Sequence, residues 1–157
     1  MARWSAVTAV AALLLTSSPV LAAEERPGPR EKCPVCGMFV AKYPDWQAVL
    51  RFADDSRAVF DGAKDLFRFW FAPEQYLPSR RREHAVSLRV TDYYSLTLID
   101  ARAAFYVVGS DVYGPMGREL VPFAKREEAE EFKRDHHGAA ILAFKEVTPS
   151  IVAELDR

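Results

Sequence analysis

The chain has 157 residues, with 21 basic and 22 acidic side chains, a formal net charge of −1 and only two cysteines. Near-balanced charge excludes the strongly basic field that attracts nucleic acid or an anionic membrane surface, and two cysteines exclude a disulfide-dense scaffold. The length suits one compact domain or two small ones with an ordinary core.

The chain opens "MARWSAVTAVAALLLTSSPVLAAEE", with Arg3 ahead of the apolar run Ala6–Leu15 and small residues at Ala22 and Ala23. This three-part pattern predicts a secretory signal peptide over residues 1–23, cleaved after Ala22 or Ala23. The apolar run is too short to span a bilayer and no second long one follows. No cysteine stands at the cleavage point to carry a lipid. The expectation is a soluble periplasmic protein with no nucleic-acid partner. Removing the signal takes away Arg3 and no acidic residue, so the charge stays close to balance.

Both cysteines then occur in "KCPVCGMFV", residues 32–40, with Met38 two positions after Cys36. In an oxidising compartment two cysteines usually mean one disulfide. A Cys33–Cys36 bridge, however, closes a tiny loop and constrains little of the unfolded chain. A structural zinc site lacks the second Cys-x-x-Cys or spaced histidine pair that it needs. A thioredoxin-like site wants a strand before the pair and a helix after it, whereas "GMFVAKY" reads as strand-like. A cysteine nucleophile wants a positioned base, and no histidine stands in such a context. A soft-metal site fits the donors, because thiolate and thioether together select Cu(I). Met38 shares a face with Cys36 if both lie on one strand, and is equally explained there as a core residue.

Further on, Trp46, Ala48, Leu50 and Phe52 alternate as in a half-buried strand, and "SRAVF" reads as its hairpin partner. "DGAKDLFRFWFAP" places Ala63, Leu66, Phe67, Trp70 and Phe71 at helical spacing, with Asp61 as the N-cap and Pro73 as the stop. Residues 24–78 therefore read as a first ββα module. "LPSRRREH" supplies a solvated linker over 79–85 that contains Arg80, Arg81, Arg82 and His84. A second β-rich module is expected over 86–157. "VSLRVTDYY" and "LTLIDARAAFYVVGS" are rich in strand formers, and "SDVYGPMGREL" sets Met116 among turn residues on a surface loop. "KREEAEEFKRDHHG" predicts a helix with Ala129 and Phe132 turned inward, His136 and His137 as C-terminal cations, and Gly138 as its end. "AAILAFKEV" returns as a strand. The fold class expected is α+β, with two related ββαβ-type modules and mostly antiparallel sheets.

Taken in order, "CPVCGMFV", "DDSRAVFDGAKDLFRFW" and the run from "RVTDYY" to "AFKEV" resemble the NosL-type accessory proteins of nitrous oxide reductase. "CGM" occurs in other small metal-associated modules; together with "VTDY", "IDARAAFYV" and "PMG" it is specific. The resemblance implies a non-enzymatic periplasmic Cu(I) chaperone of two related modules. It also implies that the protein supplies copper to the copper–sulfide centre of nitrous oxide reductase, together with a membrane ABC-transporter complex. It carries over Cys36, Gly37 and Met38 from Cys-Gly-Met, and Met116 from Pro-Met-Gly, while Cys33 matches a less uniform first cysteine. The implied metal set is Cys33, Cys36, Met38 and Met116. Many members carry a lipoprotein cysteine at the cleavage site, which this sequence lacks. The alternative is a thiol–disulfide exchange protein using Cys33 and Cys36, and a third reading is an interaction module whose two cysteines form an incidental bridge.

Overall fold

The alternating segment folds as the expected hairpin: β1 (Ala48–Phe52) pairs antiparallel with β2 (Arg57–Phe60) in the computed structural model, which describes residues 26–157. The signal segment expected over 1–23 lies outside the described residues. Val49 is buried along with Ala48, Leu50 and Phe52, so β1 is covered on both faces.

Helix α1 (Ala63–Phe71) follows, and Ala72 and Pro73 end it as expected, with Pro73 opening the short α2 (Pro73–Tyr76). Its buried face is wider than the spacing predicts. Phe69 packs on Phe60 at 5.3 Å, while Phe67 points the other way and packs on Tyr106 at 5.1 Å and Phe144 at 4.9 Å. The helix is thus buried on two sides, and its buried residues include the charged Lys64 and Asp65.

The break expected at 79–85 does not separate the sheets. β3 (Ala85–Thr91) pairs with β1, and β4 (Leu98–Asp100) pairs with β3, giving an antiparallel sheet of order β2-β1-β3-β4. A two-stranded hairpin is marginal alone, and the free edge of β1 takes the next available strand. Arg81 and Arg82 are exposed as expected, whereas Arg80 is less solvated. Arg80 bonds Asp54 at 2.7 Å and lies 4.4 Å over the Phe52 ring.

The second sheet has β5 (Phe105–Val108) at its centre, flanked by β8 (Val121–Phe123) and β9 (Ala140–Ala143), both antiparallel to it. All strand pairings among the described residues are antiparallel, and the α+β class stands. Helix α3 (Arg126–Asp135) turns Ala129 and Phe132 inward, as expected. It ends through His137, whose φ of 54° is left-handed, and the Gly138 N–H donates to Lys133 O at 2.8 Å. Gly138 is needed for space: a Cβ there would meet Val107 Cγ1 at 2.6 Å. Between the sheet's strands, β6 (Tyr113–Gly114) and β7 (Gly117–Arg118) form a small hairpin with Met116 in its turn. Helix α4 (Pro149–Glu154), capped by Thr148 and started by Pro149, packs against α1. No helix among the described residues is long and apolar enough to cross a membrane.

Candidate metal centre

The segment from Lys32 to Phe39 is a tight loop, not the start of a strand. Lys32 bridges Phe39, the Cys33 N–H donates to Met38 O at 2.9 Å, and the Gly37 N–H donates to Cys33 O at 2.9 Å. Gly37 has a φ of +79°, a left-handed backbone that favours glycine. Met38 therefore does not continue Cys36 along a strand. Its sulfur accepts a hydrogen bond from the Tyr43 hydroxyl at 3.6 Å.

This loop packs onto the start of α1. Cys33 is 1% exposed and belongs to the core, while Cys36 is half-buried; both thiols are free. The Cys33 thiol donates to Asp65 Oδ2 at 3.3 Å, and the Cys36 thiol donates to Asp61 Oδ1 at 3.2 Å. One ligand atom from each of Cys33, Cys36, Asp61 and Asp65 lies within 4.8 Å of the other three. Both aspartates are buried.

Asp61 is not the N-cap. Gly62 holds that position without a side-chain hydrogen bond. The first-turn N–H of Lys64 donates instead to Glu119 Oε1 at 2.6 Å, so a carboxyl from far along the chain does the capping. Asp61 is thereby free to face the sulfur. Its second oxygen, Oδ2, is buried with no hydrogen-bond partner among the described residues.

Burial pushes the Cys33 thiol well up, and the neighbouring Asp65 charge adds to the effect. Burial, supported by hydrogen bonds to Asp61 and Asp65, pushes Cys36 up to about 12. Asp65 is also raised, first by burial and then by the Asp61 charge, with the thiol hydrogen bonds opposing. The site at rest is thus two protonated thiols donating to two buried carboxyl groups.

The NosL family profile matches residues 26–152, a span that contains this whole cluster. The chain belongs to the NosL family. It is 31% identical over 130 residues to the copper-binding lipoprotein NosL of Stutzerimonas stutzeri, which covers 79% of this chain and 65% of that protein. The chain therefore spans just under two thirds of that relative's length. It also resembles the crystal structure of the copper chaperone NosL from Shewanella denitrificans, with a TM-score of 0.68 and 25% identity over 80% of this chain and 95% of that one.

Of the residues singled out in the sequence, the fold brings Cys33 and Cys36 together and keeps Met38 in their loop. Met116 is 39% exposed in the β6–β7 turn. That turn rests against the first turn of α1, where the Lys64 Nζ donates to Met116 O at 2.6 Å. His136 lies elsewhere, bonded to Asp111 at 3.0 Å at the end of α3.

Asp61 and Asp65 are the residues that the sequence reading missed as site groups. Asp61 stands just ahead of the N-cap Gly62 and Asp65 in the first turn of α1, so no helical spacing rule pairs them. The capping assignment given to Asp61 hid it. Chemically, the sulfur pair suits a soft ion, and the carboxyl pair accepts the thiol hydrogen bonds.

Proposed function

We propose that this protein is a non-enzymatic periplasmic chaperone that binds Cu(I) through Cys33 and Cys36, with Met38 and Met116 as thioether donors. Its client, by family, is nitrous oxide reductase, whose copper–sulfide centre receives the copper through a membrane ABC-transporter complex. The observation that carries this reading is the convergence of the two thiols with Asp61 and Asp65 within 4.8 Å, in a chain of the NosL family.

The loading chemistry follows from the site. A soft monovalent ion replaces the two thiol protons, because thiolate is the ligand form, and loading therefore releases protons. Copper retention should weaken as pH falls. Thioether donors exchange one at a time with those of a partner, which suits delivery rather than storage.

Anaerobic Cu(I) titration of the reduced protein against a chromogenic chelator tests the reading. Tight one-to-one binding is expected. Turnover in a disulfide-exchange assay with no copper affinity would overturn it.

A further inference from the structure

Outside the cluster, one carboxylate gathers two arms that lead back to it. Asp156 lies two residues past the end of α4, its side chain 51% accessible. The Arg68 guanidinium spans the gap to the metal centre. Its Nη2 bonds both Asp156 oxygens, and its Nη1 bonds Asp65 Oδ1 at 3.0 Å. With Oδ1 held from outside, Asp65 presents Oδ2 to the Cys33 thiol.

The second arm is Lys64, whose side chain is 1% exposed. A buried ammonium needs acceptors, and two lie within hydrogen-bond reach of its Nζ among the described residues. They are Met116 O at 2.6 Å and Asp156 Oδ1 at 3.4 Å. The same carboxylate that aligns Arg68 therefore also helps hold the cation that pins the Met116 turn.

We propose that Asp156 is a positioning residue for the copper site, fixing Asp65 through Arg68 and the Met116 turn through Lys64. The inference rests on the copper-binding reading above. The Lys64 arm holds the turn that carries a proposed donor, and the Arg68 arm aims the carboxyl that takes up the Cys33 thiol proton on loading. Groups that orient metal ligands from the next layer outward commonly matter 10- to 100-fold in metal affinity. Asp156 contributes no core packing, but its loss leaves the buried Lys64 ammonium with Met116 O alone, so stability is measured beside copper affinity.

The test uses the full reduced chain and Cu(I) itself. Asp156→Ala should lower Cu(I) affinity by roughly 10- to 100-fold in chelator competition, measured at a temperature where the metal-free variant is fully folded. Asp156→Glu should restore much of the loss. In an Asp65→Asn, Met116→Leu background the same Asp156→Ala change should cost little more copper affinity, since the carboxylate and the thioether that it positions are already gone. Parent-like affinity of Asp156→Ala, or an equal loss in both backgrounds, would overturn the positioning role. If Asp156→Ala melts far below the parent, the isosteric Asp156→Asn is judged by the same two criteria. Cys36→Ser separates the levels. Should it lose copper while Asp156→Ala keeps it, only the positioning role fails; should Cys36→Ser keep copper, the metal-site reading itself fails.

Discussion

At the level of single residues, the two cysteines have different second duties. Cys33 is sealed in the core, whereas Cys36 is half-buried at the loop turn. Cys36→Ser should nearly abolish Cu(I) binding and leave the melting temperature close to that of the parent. Cys33→Ser should lose copper as well and also destabilise the protein by about 1–3 kcal/mol, because it buries a hydroxyl where a weakly polar thiol packs. Thermal denaturation of the two metal-free variants checks this, and equal stability of the pair would show that Cys33 has no packing role. The sulfur cluster was legible because soft donors are rare and stand close together in the sequence. Asp61 and Asp65 were not, because a helix-capping aspartate and a site aspartate look alike in sequence. Only the approach of positions 25 and 32 residues apart tells them apart.

Among the elements, the contact between the β6–β7 hairpin and the start of α1 decides two outcomes. Glu119 is buried there, with Oε1 accepting the N–H groups of Lys64 at 2.6 Å and Leu120 at 2.9 Å. Burial raises its pKa from an ordinary 4.5 to about 8, against those hydrogen bonds and the nearby Lys64 charge. Between these two values the folded protein holds a proton that the unfolded chain has released. The contribution of Glu119 is therefore fullest below about 4.5 and is lost as pH rises through about 8. Glu119→Gln keeps an acceptor oxygen and cannot ionise, so its melting temperature should fall less than the parent's between pH 5 and pH 9. Parallel melting curves across that range would remove Glu119 as the cause. On the same hairpin, Met116→Leu conserves volume at an exposed turn and should cost less than about 1.5 kcal/mol. It should nevertheless weaken Cu(I) retention against a chelator. If the Met116→Leu variant retained copper as the parent does, the hairpin would serve at most for recognition. Helices α1 and α3 and the first hairpin were legible from periodicity. Helix α4 was not read, although Thr148-Pro149 is a start signal, because the segment it opens is only one and a half turns long.

Across the whole molecule, α1 joins what the sequence pattern divides. Periodicity reports which residues are buried but not against what, and a strand such as β3 carries no mark of the sheet it will enter. The pattern break at 79–85 therefore looked like a boundary, while the core runs from Cys33 through both sheets to Leu155. Phe67 is the hinge of that continuity. It is fully buried on the face of α1 that meets Tyr106 of β5 and Phe144, opposite the Phe69 face that meets Phe52 and Phe60. Phe67→Ala should cost about 3–5 kcal/mol, since deletion of a buried ring leaves a cavity that flanking rings only partly fill. Because α1 also carries Asp65 and receives the cysteine loop, metal site and core should fail together. The parent should melt in one transition, with near- and far-ultraviolet circular dichroism coincident, and Phe67→Ala should melt earlier in one transition as well. In the same variant, Cu(I) should be surrendered to the chelator over the temperature range where the near-ultraviolet signal is lost. Two separated transitions in the parent would instead mean that each sheet folds by itself, and that α1 belongs to only one of them.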